Sequence, residues 1–408
     1  MMDRRILLAD ADAFYVAVAR LIDPDGAGKE PLLVVGGSAE GRGVVTSASY
    51  ETRVFGVRSG MPMARALRLC PQLVRAPVTR SACSEKSRQI RMVLERFTPL
   101  VEPASIDEFY LDMTGTDELY GGESLAATAG RIRSAVIDET GVAVSIGGGT
   151  SKFIAKLAAK QAKPHRGCET GVVVVPPGTE AAFLAQRELA EIPGIGPRLQ
   201  ERLAHHGLRH VNDALALEED VLVSWLGNST GRWLHRRIRG IDTSPVVRHS
   251  AAKSMSHEET FAADLHEDGD LERELTRLAS RLAADLRSKN LRGRTVTVKL
   301  RDADFTTRQA SYTLELPVDS DRPINTIARQ LLRKLREQRR SGARLVGVAV
   351  SNLCDQDPSD GQLSLFSAPD GRDAQLQRDR QLARAVDQIN ARFGRERIVR
   401  ASTVNPAE

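Results

Sequence analysis

Two short apolar runs, far apart along the chain, each carry carboxylates to one end of a strand. Residues 6–15 read Ile-Leu-Leu-Ala-Asp-Ala-Asp-Ala-Phe-Tyr. Residues 98–112 read Thr-Pro-Leu-Val-Glu-Pro-Ala-Ser-Ile-Asp-Glu-Phe-Tyr-Leu-Asp. Both have the length and composition of buried strands. Two such strands side by side bring Asp10, Asp107 and Glu108 together, and three carboxylates at one point repel unless a divalent cation lies between them. An all-oxygen acidic cluster suits Mg²⁺, which keeps open positions for water and substrate phosphates. This is the electrostatic requirement of two-metal phosphoryl or nucleotidyl transfer. Each half alone has a blander reading: Asp-x-Asp as a turn or helix cap, Asp-Glu as a solvated hairpin corner. The two become specific only together, and with the rest of the first 165 residues.

The chain of 408 residues exceeds one ordinary core and implies two to four domains. Its 41% hydrophobic and 27% charged residues describe a globular protein, not a disordered one. No run approaches a membrane span and no secretory signal opens the chain, so a cytoplasmic protein without membrane contact is expected. Cys70, Cys83, Cys168 and Cys354 lack metal or disulfide spacing, which fits a reducing compartment. The net charge of +5 says little, but Arg287 to Arg344 holds fifteen Lys/Arg against six Asp/Glu. Basic charge gathered in one segment, with acids gathered in another, suits an enzyme acting on nucleic acid. A solvated basic helix around Arg329–Arg340 is the plainer account of part of that excess.

Residues 1–20 and 80–170 mix strands and helices, with a strand at Val142–Ile146 followed by Gly147, Gly148 and Gly149. Between them, 21–79 reads as a compact insertion with strands at Pro31–Val35 and Gly43–Ser47 and a helix from Pro62 to before Pro71. Residues 171–240 turn helical after a Val172–Val175 strand. A polar connector, 241–252, leads to a further α/β unit. This has helices near 271–289 and 323–339 and strands at Thr295–Arg301, Arg308–Leu316 and Arg344–Asn352. From Asp355 the composition turns polar, with a last helical stretch at 373–393.

Tyr50 and Arg53, three apart just past a strand, would share a helix face and could hold phosphate oxygens. Lys152, Lys156, Lys160 and Lys163 fall at i, i+4, i+8 and i+11, one positive stripe on a helix. Like charges at that spacing repel, so a nearby polyanion is inferred, with solvated lysines as the default. Ala190–Pro197, containing Gly194 and Gly196, fits a helix-hairpin-helix turn whose amides approach a DNA phosphate. A structural tight turn is the alternative. Gln362, Leu365 and Phe366 sit in the polar tail, where an exposed apolar pair suits a partner's pocket.

Taken in order, these pieces resemble the Y-family translesion DNA polymerases of the DNA polymerase IV class, over about residues 4–400. The resemblance implies an α/β multidomain, right-hand polymerase with an α+β palm, small fingers, helical thumb and C-terminal α/β little finger. It places the palm at 1–20 and 80–170, the fingers at 21–79 and the thumb, with its helix-hairpin-helix, at 171–240. A linker follows at 241–252, the little finger at 253–354, and a tail at 355–408 with a clamp-binding motif and a terminal helix.

Asp10 and Asp107 then correspond to metal-bridging carboxylates, Ala11 to a backbone-carbonyl ligand and Glu108 to the third acid, for two Mg²⁺ ions with Mn²⁺ as a substitute. Tyr15 falls on the steric gate against a 2′-hydroxyl, with Phe14 beside it at the nucleotide. Tyr50, Arg53 and Lys163 match the triphosphate grip. Val44 and Thr46 would lie over the templating base, Thr306 and Arg308 would touch template phosphates, and Gln362–Phe366 would dock on the β subunit of the sliding clamp. Four positions depart from the family pattern: Cys83 where an aromatic is common, Ser151 for an Asn, Gly148 for an aliphatic residue, and Phe109 for a smaller one.

The implied function is template-directed, low-fidelity DNA synthesis from a primer 3′ end in lesion bypass, by a monomer binding primer-template DNA and dNTP. No further acidic cluster suggests a proofreading domain. Two rivals stand beside this: a catalytically inactive, clamp-bound scaffold in lesion bypass, and a non-enzymatic DNA-binding module.

Overall fold

The computed structural model describes residues 4–116, 118–355 and 372–394. The expected clamp motif, Gln362, Leu365 and Phe366, lies outside the described residues. Two compact units divide after Ser250. Among the described residues no helix is long and apolar enough to cross a membrane.

The first unit begins with β1 (Ile6–Ala11), α1 (Phe14–Ile22), β2 (Leu33–Gly36), β3 (Val45–Ala48), α2 (Tyr50–Val54), α3 (Met63–Leu69) and β4 (Val74–Ala76). It continues through α4 (Arg80–Leu94), β5 (Val101–Pro103), β6 (Glu108–Asp112), α5 (Leu125–Thr140), β7 (Val144–Gly149), α6 (Lys152–Gln161) and β8 (Val172–Val174). The helices α7 (Glu180–Ala185), α8 (Pro197–His205), α9 (Val211–Leu215), α10 (Glu219–Leu226) and α11 (Asn228–Ile238) complete it.

The main sheet has the order β5-β6-β1-β7-β8. Central β1 is covered on both faces, which is why residues 6–9 read as an unbroken apolar run. On one face Leu7, Ala9 and Ala11 join Phe109, Leu111, Val144 and Ile146 under α1, α4 and α5. On the other, Ile6, Leu8 and Tyr110 pack against Ala155 and Ala159 of α6.

Helix α6 sits on β7 at backbone distance. A Cβ built on Gly147 would stand 2.0 Å from the Ala159 amide nitrogen and 2.2 Å from the Ala155 carbonyl oxygen. Gly147→Ala must therefore push the helix off the sheet, an overpacking cost of about 3 kcal/mol. A thermal melt by circular dichroism should show a clearly lower Tm, and an unchanged Tm would contradict this packing.

A second, smaller sheet has the order β3-β2-β4, with Val34, Val45, Ala48, Met63 and Ala66 in its core. Its strands begin two residues later than the Pro31 and Gly43 starts read from sequence. The five helices after β8 share a core that includes Leu189, Ile192, Leu203, Val211, Leu222 and Leu234.

The second unit contains β9 (Ser254–Leu265), α12 (Asp268–Ser288), β10 (Leu291–Asp302), β11 (Thr307–Val318), α13 (Asp321–Gln338), β12 (Ala343–Asp355) and α14 (Arg372–Phe393). Its antiparallel sheet runs β11-β10-β12-β9. Leu275, Leu278 and Leu282 of α12 and Leu331, Leu332 and Leu335 of α13 pack on Val296, Val298, Val346 and Val348. On the opposite face threonine and serine hydroxyls pair across strands, Thr295 with Thr313 at 3.0 Å and Thr297 with Ser311 at 2.9 Å. Strand β9 carries no apolar alternation, because at the sheet edge its residues run exposed to half-buried along most of their length. Sequence periodicity had no signal to report there.

Candidate active site

The acids meet at one end of the main sheet. Strands β1 and β6 are antiparallel with Asp10 directly opposite Glu108. Directly paired residues project to the same face, here the face covered by α6. Asp107 lies one residue before β6, and its carbonyl accepts the Ala11 amide at 2.9 Å. The bend is held by Ser105, whose hydroxyl donates to Asp107 Oδ1 at 2.5 Å and accepts the amides of Asp107 and Glu108 at 3.2 and 3.1 Å.

Lysines come to these acids from α6 and the segment behind it. Lys156 Nζ donates to both Glu108 oxygens, at 3.0 and 2.8 Å. Lys152 Nζ donates to Glu102 at 2.6 Å and lies over the Tyr110 ring, 4.7 Å from its centroid. Helix α6 ends at Gln161, so Lys163 is not on it. Lys163 Nζ bonds the Asp10 carboxylate at 2.7 Å, the Asp10 carbonyl at 3.0 Å and Asp12 Oδ1 at 2.9 Å. This corrects the stripe reading: three of the four lysines face the unit's own carboxylates, and only Lys160 points to solvent. Helical spacing cannot distinguish an outward stripe from one laid over an acidic sheet edge.

Asp12 is the residue that sequence reading missed. The chain leaves β1 through Ala13, held left-handed at φ 45°, a costly conformation for a non-glycine residue. Asp12 is thereby turned inward and is only 7% exposed. It accepts from the Tyr50 hydroxyl at 3.0 Å and from Ser145 Oγ at 2.9 and 3.1 Å, besides Lys163. The Asp-x-Asp spacing was the available signal, since both acids project from the same end of one strand.

Burial pushes the Asp10 carboxyl up to about 6; Lys163 opposes the shift, while Glu108 and Asp107 add to it. Burial thus outweighs the contact with Lys163. Among the described residues no three His, Cys, Asp or Glu side chains already clasp a metal position. The oxygen-only donors of Asp10, Asp107 and Glu108, with excess negative charge on adjoining strands, nevertheless fit a hard divalent cation.

The nucleotide candidates surround this edge. Phe14 is buried at the start of α1, and Tyr15 is half-buried with its ring edge-on to Phe14, centroids 5.6 Å apart. Burial raises the Tyr15 phenol, with Cys83 and then Asp107 adding to the shift, so the ring lies near the acids. Ser49 caps α2 by accepting the Thr52 amide at 3.2 Å. On that short helix the Arg53 guanidinium stacks on the Tyr50 ring at 4.6 Å and its Nε donates to the Ala48 carbonyl at 3.1 Å. Burial, then Asp12, drives the Tyr50 phenol upward, so it stays protonated and donates. Val44 is exposed and Thr46 half-buried, just before and just inside the start of β3.

The remaining candidates lie elsewhere. Gly194 has φ 102°, and a Cβ there would meet Trp233 at 2.7 Å; Gly196 precedes α8, with Pro197 at its first position. In the second unit Thr306 is exposed on the β10–β11 connection. Arg308 differs from expectation. Its guanidinium donates to the fully buried Asp302 at 3.0 and 3.2 Å, to the Arg339 carbonyl at 3.3 Å and to the Leu335 carbonyl. Together with Arg339, 3.2 Å from the same carboxylate, it neutralises a buried acid, and it is not presented to solvent as a phosphate contact. Arg308→Ala leaves Asp302 paired with Arg339 alone and should cost about 1–3 kcal/mol in the DNA-free protein, seen as a lower urea midpoint. An unchanged midpoint would return Arg308 to the DNA-contact role.

Three family departures have local explanations. Ser151 caps α6 by accepting the Ile154 amide at 3.3 Å. Cys83 and Phe109 are buried in the core beneath α1.

Comparisons with known proteins agree with this layout. The impB/mucB/samB family model matches residues 9–160 and that family's C-terminal domain model matches 252–365. A model described as the DNA polymerase-iota thumb domain matches 190–242. A DNA polymerase IV of Dehalococcoides mccartyi is 37% identical over 374 residues, covering 90% of this chain and 93% of that protein. Another, from Desulfatibacillum aliphaticivorans, is 35% identical over 408 residues, covering 100% and 97%. Among solved structures, a Y-family chimera of Dbh and Dpo4 superimposes with TM-score 0.75 at 24% identity, over 86% of this chain and 99% of that one. DinB from Sulfolobus solfataricus gives 0.57 at 25% identity, over 85% and 98%.

Proposed function

Because the chain belongs to the impB/mucB/samB family and is a DinB-class Y-family DNA polymerase, we propose that it copies damaged templates at low fidelity. Its fold is the Y-family right-hand polymerase fold, and its activity is that of a DNA-directed DNA polymerase. The finer reading rests on one observation above all: Asp10 and Glu108 are cross-strand partners with Asp107 adjacent, in surroundings that raise Asp10 to about 6.

In this reading Asp10, Asp107, Glu108 and the Ala11 carbonyl would hold two Mg²⁺ ions, or Mn²⁺ in their place, which would acidify the primer 3′-hydroxyl and offset charge on the phosphoryl oxygens. The protein's own groups do the rest. Tyr50, Arg53 and Lys163 donate to the triphosphate oxygens and stabilise the departing pyrophosphate. Lys163 is suited to this because its ammonium already lies on Asp10 and Asp12 and needs only to share its donors. The Tyr15 ring stands where a 2′-hydroxyl would project, and the short Val44 and Thr46 side chains leave room over an altered templating base. Gly194 and Gly196 offer amides to the duplex backbone, and Thr306 contacts template phosphate.

The palm is assigned to 1–20 and 80–170, fingers to 21–79, thumb to 171–240, linker to 241–252 and little finger to 253–354. The working partners are primer-template DNA, dNTP and, through Gln362–Phe366, the sliding clamp's β subunit, with the protein acting as a cytoplasmic monomer. The test is primer extension with Mg²⁺ on undamaged templates and on a panel of defined lesions. Extension past at least one lesion is expected. Metal-dependent incorporation that always stops at lesions would remove the bypass role, and no incorporation on any template would favour the clamp-bound scaffold.

A further inference from the structure

We propose that Asp12 is a positioning residue for the incoming nucleotide: its buried carboxylate fixes the Tyr50 hydroxyl and the Lys163 ammonium relative to each other. The inference rests on the assignment of Tyr50 and Lys163 to the triphosphate.

Three donors from separate parts of the unit converge on Asp12 Oδ1. They are Tyr50 from α2 at 3.0 Å, Ser145 from β7 at 2.9 Å and Lys163 from beyond α6 at 2.9 Å. Ser145 also reaches Oδ2 at 3.1 Å. The Asp12 backbone is anchored as well, its amide donating to the Ala143 carbonyl at 2.8 Å. Lys163 and Asp12 side chains are only 12% and 6% exposed, so these bonds are charge-assisted and poorly screened.

The consequence is mechanical. Tyr50 sits on a helix of five residues and Lys163 in an irregular segment, and neither element alone has the length to hold its side chain rigidly. Asp12, anchored at the end of the central strand, gives both a common reference point. Without it the Tyr50 hydroxyl loses the acceptor that orients it, and Lys163 is left with its Asp10 contacts alone, at 2.7 and 3.0 Å. Asp12 accepts protein donors on both carboxylate oxygens, Asp10 from Lys163 on one, which suits Asp12 to a support and not a metal ligand.

The test compares Asp12→Ala, Asp12→Asn, Tyr50→Phe and the double variant Asp12→Ala/Tyr50→Phe. At saturating Mg²⁺, dNTP affinity is measured by equilibrium binding to the complex with a dideoxy-terminated primer, alongside kcat and the Mg²⁺ requirement. Asp12→Ala should weaken dNTP binding about tenfold, the scale of one charge-assisted hydrogen bond, with kcat changed much less. Asp12→Asn keeps an acceptor for Tyr50 and should recover part of the loss. The double variant should bind little worse than Asp12→Ala alone, because both changes break one bond. A fall in kcat with a raised Mg²⁺ requirement and unchanged dNTP affinity would make Asp12 a metal ligand and overturn the proposal, as would multiplicative losses in the double variant. Unchanged affinity in Tyr50→Phe would remove the triphosphate assignment itself and this inference with it. Should Asp12→Ala fail to fold, Ser145→Ala loosens the same carboxylate without approaching the nucleotide. It should weaken dNTP binding about threefold, and no change would overturn the proposal.

Discussion

Asp107→Ala protein is expected to extend a primer at least about 10³-fold more slowly than the parent, with its thermal stability nearly intact. The two expectations come from different links in the chain of cause. Asp107 is half-exposed, and among the described residues its carboxylate meets only the Ser105 hydroxyl in the bend. Removing it leaves no buried cavity, and Ser105 still accepts the amides of residues 107 and 108. The fold should therefore survive while the charge that would hold a cation against Asp10 is lost. The same substitution at Asp10 is harder to read, because it also releases Lys163 and removes a half-buried group. Glu108→Ala lies between these cases, since it frees Lys156 from two hydrogen bonds. Single-nucleotide incorporation and a melting curve on the same preparation decide the matter. Near-normal extension by Asp107→Ala or Glu108→Ala would refute the acidic site.

Tyr15→Ala should admit ribonucleotides on the order of 10²-fold more readily than the parent, with deoxynucleotide insertion changed far less. Steric exclusion works only if the excluding group cannot move aside. The Tyr15 ring follows directly on the left-handed turn at Ala13, lies edge-on to the buried Phe14 and packs against the same core as Cys83. Each contact limits rotation at χ1. Tyr15→Phe keeps that bulk and should keep the discrimination, which separates shape from the hydroxyl's hydrogen bonding. Competition between a ribonucleotide and its deoxy counterpart at a single templating base measures the ratio directly. Equal selectivity in parent and Tyr15→Ala protein would take Tyr15 out of that role.

The parts of this molecule that were legible in its sequence are those set by local chemistry. Strands β1 and β6 show their burial in the apolar runs at residues 6–9 and 109–111. The amphipathic helices α12 and α13 declare their core faces through leucine spacing. Strand β9 was invisible because an edge strand with polar residues on both faces leaves no periodic trace. Its existence depends on eight backbone pairings to β12, which no window on residues 254–265 can contain.

The same division runs through the site. Strand-end acids, a phenol and guanidinium on one helical turn, and lysines at helical spacing were all present in the residue order. Their destinations were not. Lys156 meets Glu108, and Lys163 meets both Asp10 and Asp12, only because Gly147 lets α6 lie directly on β7 and so over the face from which those acids project. Arg308 turns, with Arg339, to the buried Asp302 because pairing a carboxylate in the interior outweighs a surface contact. Residue types and spacing determined which chemistry the chain could carry. Which charge met which was decided by packing between segments as many as 153 positions apart, where desolvation and geometry, not local propensity, set the energy.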